Sequence, residues 1–169
     1  EIPSEISFCD ALCREVGAGF LIKSVDVKSY AHGRSMSKQE AARDLRYAAF
    51  EEAALEVGAG RIALAHNADD QIETFMMRLL RGSGRRGLSA MPAVRGRIIR
   101  PLIETERRSI EEYLEAQGFS FVLDSSNLRD DYLRNRIRKA LLPLLRELNP
   151  NLTGTLLRTL SILREEERY

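Results

Sequence analysis

The sequence predicts an α/β fold, a partly complete parallel sheet covered by helices and followed by a helical extension from about Asp130. Three observations carry this. Helical spacing alternates with short apolar runs three times before Arg81. The run Arg61-Ile-Ala-Leu-Ala65 shows no polar alternation, as in a strand covered on both faces. Beyond Asp130 only helical spacing remains.

Ile6, Leu12 and Val16, with Phe8, Cys9 and Cys13 between them, space as a helix from about Ser4 that Gly17-Ala-Gly19 ends. Phe20 to Val27 then reads as a strand. Ser37-Lys-Gln-Glu40 has the form of a capping box, in which each side chain satisfies the other residue's backbone donor, and it opens a long alanine-rich helix. Tyr47, Phe50, Ala54 and Val57 hold that helix's spacing until Gly58-Ala-Gly60. After the strand at Arg61–Ala65, a further helix runs from Asp69 to Arg81 with Ile72, Phe75, Met76 and Leu79 toward the core.

Arg97 to Leu102 suggests a short extended segment, Thr105 to Gln117 a helix, Phe119 to Leu123 another extended piece, and Asp124-Ser-Ser-Asn127 a turn. Leu133, Ile137, Leu141, Leu144 and Leu148 repeat at helical intervals. Pro143 among them forces a kink or break, because proline lacks an N–H and crowds the carbonyl four residues back. The last helix carries Leu152, Leu156, Leu160 and Leu163 as one stripe, which needs a partner from this core, from a second copy in a homodimer, or from a further domain.

A chain of 169 residues, 44% hydrophobic and 30% charged, suits one domain or part of a larger protein. No apolar run approaches a membrane span and no secretory pattern opens the chain, so a cytoplasmic protein without a membrane partner is expected. Two cysteines four residues apart exclude a disulfide scaffold and make no zinc site alone. Residues 1–80 carry 9 basic and 13 acidic side chains, whereas residues 81–169 carry 17 and 12. Arginine supplies 22 of the 26 basic residues, and Arg81 to Arg100 holds six arginines and no acid. Guanidinium forks match phosphate and carboxylate, which points to an anionic partner; a solvated arginine-rich surface accounts for the same counts.

Ala65-His-Asn-Ala-Asp-Asp-Gln-Ile-Glu-Thr74 places a histidine and three carboxylates where a strand gives way to a helix, the position at which open parallel sheets bind ligands. Asp70 and Glu73 fall on adjacent positions of one helical face, where a carboxylate pair can bind magnesium, orient an amine or take a proton. Acids in a first turn equally suit the helix dipole, with Asp69 as N-cap. Leu79-Leu-Arg-Gly-Ser-Gly84 follows a helix and lacks a Gly-Lys-Ser/Thr ending, so it is no Walker motif; Arg81, Arg85 and Arg86 supply charge there. Arg134-Asn-Arg-Ile-Arg-Lys139 puts four cations into six residues, spread around more than one helical face.

Taken in order, His66 to Thr74, Leu79 to Gly84, Ile99-Arg-Pro-Leu102, Asp124 to Asn127 and Arg134 to Arg138 resemble the tRNA(Ile)-lysidine synthetases, members of the N-type ATP pyrophosphatase group. Arg43-Asp-Leu-Arg-Tyr47 fits as well, and the likeness covers roughly residues 20 to 150. It implies an adenine nucleotide alpha hydrolase-like, Rossmann-like fold, with residues 1–129 a partial pyrophosphatase domain and 130–169 the helical extension. It further implies ATP and Mg2+ as cofactors, with isoleucine tRNA and L-lysine as partners. Such enzymes adenylate the C2 oxygen of the wobble cytidine, and the lysine amine then displaces AMP. On this likeness Asp70 and Glu73 hold or deprotonate the amine, and Arg46 and Arg138 stabilise phosphate charge and the activated base. His66 and Arg81 approach the nucleotide, Arg85, Arg86, Arg134 and Arg136 meet tRNA, and the metal ligands are unassigned.

The family's Ser-Gly-Gly-x-Asp-Ser loop, whose amides cradle phosphates, has no counterpart here. The expectation is a chain that starts inside the domain, lacks the carboxyl-terminal tRNA-binding regions, and makes no lysidine by itself. A tRNA 2-thiolation enzyme of the same fold and a non-catalytic RNA-binding module are the alternatives; iron-sulfur members of the former need Cys-x-x-Cys arrangements, and this chain has only Cys9-Asp-Ala-Leu-Cys13.

Overall fold

A computed structural model describes residues 2–121 and 133–166. The chain divides into two units, Glu1–Ile62 and Ala63–Tyr169.

The first unit contains α1 (Ile2–Glu15), α2 (Val27–Arg34) and α3 (Lys38–Glu56). The capping box forms as the sequence predicts: Glu40 N donates to Ser37 Oγ at 3.2 Å and Ser37 N to Glu40 Oε2 at 3.1 Å. Both Ser37 donors hold the Glu40 carboxyl below its ordinary range, the hydroxyl more than the amide. α2 packs on α3 through small side chains, with Ala31, Ala41 and Ala54 buried. Tyr47 meets Phe50 edge to face at 6.2 Å.

The strand expected at Phe20–Val27 does not form. Val27 opens α2, whose N-cap is Asp26, and Phe20, Leu21, Ile22 and Val25 are exposed. Apolar content alone cannot make a strand, which exists only through ladder bonds to a neighbour, and none of the described residues supplies one. Lys23 instead ties this segment to α3, donating to Glu56 at 2.7 Å and Glu52 at 3.0 Å.

The division falls within β1 (Ile62–Ala63). The second unit continues with α4 (Ala68–Leu80), α5 (Arg85–Leu88), β2 (Val94–Arg95), β3 (Ile98–Ile99) and α6 (Arg107–Ala116), then α7 (Leu133–Arg136), a π turn (Ile137–Leu141), α8 (Leu142–Leu148) and α9 (Leu152–Glu166). The sheet order is β1-β3-β2. β1 and β3 form its parallel pair, and Leu64 N donates to Ile99 O at 2.9 Å. The extended segment expected at Arg97–Leu102 proves to be the second arm of a tight antiparallel hairpin, with Val94 opposite Ile99 and Arg95 opposite Ile98. Gly96, at φ 60°, supplies the left-handed turn residue.

Ile72, Phe75 and Met76 of α4 form the core with Ile137, Leu142, Leu152 and Leu160. Full burial of an aliphatic side chain of this size contributes about 1.5–3 kcal/mol. α9 packs on α4 and α5, so its leucine stripe finds its partner in this chain's own core and requires no second copy. Leu79 departs from its expected inward place and is 49% exposed, because it lies past the part of α4 that is covered. Pro143 does not break the helix; the turn just before it widens into π geometry, which relieves the missing donor. The turn at Asp124–Asn127, most of the Phe119–Leu123 piece and the start of the extension at Asp130 lie outside the described residues.

Candidate active site

α4 begins two residues after β1 and its flanking extended segment carry the chain to His66, and Asn67 is its N-cap. Asn67 and Asp70 form a reciprocal capping box: Asp70 N donates to Asn67 Oδ1 and Asn67 N to Asp70 Oδ2, both at 3.1 Å. Asp70 is thus a capping residue as well as a half-buried carboxylate, and its Oδ1 takes no hydrogen bond from the described residues.

Asp69 is not the N-cap of its own helix. Its Oδ2 accepts from Arg107 N at 2.9 Å, capping α6, and its Oδ1 accepts from Arg146 on α8 at 2.9 Å. The aspartate therefore ties together three helices far apart in sequence.

Glu73 is 1% exposed and carries a bidentate guanidinium. Arg138 donates from Nε to Oε1 at 2.6 Å and from Nη2 to Oε2 at 3.1 Å. Arg134 adds a second cation 3.4 Å from Oε2 and reaches Thr74 Oγ1 at 3.4 Å. A carboxylate so deeply buried costs several kcal/mol unless it is paired, and the fork supplies that pairing. The Glu73 hydrogen bonds raise the pKa of Arg138; burial opposes them, and the charges of Glu73, Asp70 and Asp69 reinforce them. The structure thus brings Glu73, Arg134 and Arg138 together, with Asp70 one turn earlier on α4.

His66 is half-buried, and its Nδ1 accepts from Arg100 Nε at 3.3 Å. Arg81, Arg85, Arg86 and Arg136 are exposed, and Arg85 pairs with Glu166 at 3.4 Å. Arg46 lies on α3 in the other unit and is also exposed. Among the described residues no group of three His, Cys, Asp or Glu side chains is placed to hold a metal ion, and no helix is long and apolar enough to cross a membrane. Cys9 and Cys13 are free thiols on α1.

Four structural anchors escape the sequence reading. Gln71, fully buried, pairs with the Met91 backbone in both directions, donating at 2.7 Å and accepting at 2.9 Å. Arg78 donates to the Gly87 and Ala90 carbonyls, Arg100 to the Pro92 carbonyl, and Arg164 to the Ser89 and Met91 carbonyls. Arg78, Arg100 and Arg164 are therefore anchored on the carbonyls of one loop. For Gln71 a signal existed, since it stands four residues before core-facing Phe75 on the same helical face.

Residues 1–145 match a family described as the PP-loop domain. The chain is 37% identical over 171 residues to the tRNA(Ile)-lysidine synthase of Clostridioides difficile, spanning 100% of this chain and 37% of that protein. It is 43% identical over 162 residues to the Geobacter sulfurreducens tRNA(Ile)-lysidine synthase, covering 95% of this chain and 34% of the relative. With the Bacillus subtilis tRNA(Ile)-lysidine synthase the identity is 37% over 173 residues, covering 100% and 37%. The chain thus spans about a third of the length of these curated relatives.

Proposed function

The chain belongs to the PP-loop domain family, and we propose that it supplies part of the catalytic domain of a cytoplasmic enzyme that joins L-lysine to the wobble cytidine of an isoleucine tRNA. The single observation that carries this reading is the Glu73–Arg138 fork beside Asp70, at the head of the helix that follows β1. The likeness to lysidine synthases over nearly the whole chain supports it. Residues 1–129 then correspond to part of the nucleotide-activating domain and 130–169 to its helical extension.

The reaction has two steps. The cytidine C2 oxygen attacks the α-phosphorus of ATP and pyrophosphate leaves; the lysine amine then attacks C2 and AMP leaves. Both steps gather negative charge on phosphate oxygens, which favours a fixed guanidinium over a mobile one. Arg138 is fixed by Glu73, so the buried glutamate acts through Arg138 as a positioning residue rather than by receiving the amine itself. Asp70, with one oxygen outside its capping box, holds the lysine ammonium and takes its proton. His66 orients the nucleotide, while Arg81 adds a phosphate contact and Arg85, Arg86, Arg134 and Arg136 meet tRNA. Asp69 and Glu73 have both oxygens engaged within the protein and Asp70 keeps one for the amine, so magnesium fits here as an ion carried by the ATP phosphates, with no ligand of this chain assigned.

The test is a chimera in which these residues replace the matching third of the Bacillus subtilis enzyme, incubated with ATP, lysine and unmodified isoleucine tRNA. Lysidine should form, and Asp70→Asn should slow it by about 100-fold or more while the asparagine preserves the cap. A folded chimera that makes none, beside an active parent, refutes the reading.

A further inference from the structure

A groove of about 750 Å³ opens in the second unit, on a different side of α4 from Glu73. Arg78, which lines it, follows Glu73 by five residues, about 7.5 Å along the axis and about 140° around it. Arg164 of α9 reaches the groove half-buried, its Nε on the Ser89 carbonyl at 3.1 Å and its Nη2 on the Met91 carbonyl at 2.8 Å. Those carbonyls fix the guanidinium without neutralising it, since no carboxylate lies within ion-pair distance among the described residues. Burial accordingly lowers its pKa, with the charge of Glu104 opposing. Arg86 on α5 and Arg95 on β2 line the same groove, exposed and without a carboxylate partner among the described residues.

The wall that aims Arg164 is rigid. Gln71 clamps Met91 in both directions, Arg78 holds the Gly87 and Ala90 carbonyls, and Ala90 sits at φ 54°, a conformation an alanine keeps only where its surroundings enforce it. The groove therefore offers one preorganised, underneutralised guanidinium and two exposed ones. Glu104 and Glu165 lie among them and change what can bind. An acidic peptide would bring carboxylates against these two without compensation. A single RNA strand offers phosphate to the arginines and amino or hydroxyl donors to the carboxylates.

We propose that this groove is a second RNA-contact surface, taking the sugar-phosphate backbone of a single-stranded segment on Arg86, Arg95 and Arg164, with Glu104 and Glu165 accepting from base amines or ribose hydroxyls. The identification of the polyanion as RNA rests on the tRNA reading above. The geometry of the groove does not.

The experiment measures binding of a short fluorescein-labelled oligoribonucleotide to the whole chain by anisotropy over a salt series. Each single-strand phosphate contact contributes about 0.7 to the slope of log K against log salt. Arg86→Ala and Arg95→Ala should each lower the slope by about that amount and together by about twice it. Arg108→Ala, whose guanidinium already pairs with Glu112 on α6 at 2.8 Å, should leave it unchanged. Polyglutamate should displace the RNA poorly. Slopes unaltered by the groove substitutions, an equal loss from Arg108→Ala, or displacement by polyglutamate as effective as by unlabelled RNA overturns the proposal. The two readings fail separately: unaltered slopes in an active chimera remove the groove, and with it the tRNA contact of Arg86, but leave the reaction standing, and reduced slopes in an inactive chimera remove the reaction alone.

Discussion

Replacing Arg138 by methionine keeps an apolar stem and removes the guanidinium, so Glu73, 1% exposed, loses its bidentate partner. Stranding one member of a buried ion pair costs about 3–5 kcal/mol. Two features reduce this figure: Arg138 is itself 29% exposed, and Arg134 remains 3.4 Å from the same carboxylate. A loss of about 2–3 kcal/mol is expected, and at about 2–4 °C per kcal/mol for a chain of this size the midpoint of thermal unfolding should fall by about 4–12 °C. Glu73→Gln retains an acceptor for the arginine and should cost less. The double variant Glu73→Met with Arg138→Met replaces the pair by apolar volume and should recover most of the loss, because neither charge is then stranded. Urea and calorimetric melts of the wild type, Glu73→Met, Arg138→Met and the double variant close the cycle. A cost under about 0.5 kcal/mol for Arg138→Met, or a double variant as unstable as the two single losses added, would show that the fork does not govern the burial of Glu73.

The other expectations concern separate parts of the chain. Gln71→Leu fills the same space but leaves the Met91 N–H without its partner, while the Met91 carbonyl keeps Arg164, a loss of about 1–3 kcal/mol that should also speed hydrogen exchange at the Met91 amide; protection unchanged at that amide would contradict it. Ala90→Val places a branched side chain at φ 54° and should destabilise by about 2 kcal/mol, read from urea midpoints, whereas a neutral result would mean the loop relaxes freely. Because the folded Glu40 carboxyl titrates below its unfolded counterpart, the cap's stabilisation is present above the unfolded value and is lost as pH falls through the folded one. Ser37→Ala removes the stronger donor and should move the Glu40 titration upward in a carboxyl-detected NMR series; an unmoved curve would mean the hydroxyl is not the cause.

Features whose partners lie within a few residues were legible, and features completed from afar were not. The Ser37–Glu40 box is a contact across three positions, and the helix it opens ends where Gly58 allows. The stripe of α9 was equally readable, though only the fold shows that α4 and α5 cover it. Asp69 looks like the cap of α4 from its position, yet its oxygens serve Arg107 and Arg146, 38 and 77 residues away. Apolar runs disclose burial without disclosing a ladder partner, which is why Phe20–Val27 misled and why β2, whose two residues are exposed, left no trace. At the site, the segment from His66 to Thr74 stood out as chemistry because unlike polar groups crowd one helix end. That Glu73 lies buried under Arg138 follows from a contact spanning 65 residues, which no local pattern encodes.

The π turn at Ile137–Leu141 has a bearing on insertions and deletions. Ile137 and Leu142 are five positions apart and both almost wholly buried, at 2% and 1% exposure. In a regular α-helix such a pair would diverge by about 140°, whereas a four-residue separation diverges by only about 40°. The wide turn therefore absorbs one supernumerary residue, and an alignment with shorter chains should open a one-residue gap at this point. A single-codon deletion between Ile137 and Leu142 keeps both apolar anchors on one face but loses the aim of Arg138 at Glu73 and the wide turn that accommodates Pro143.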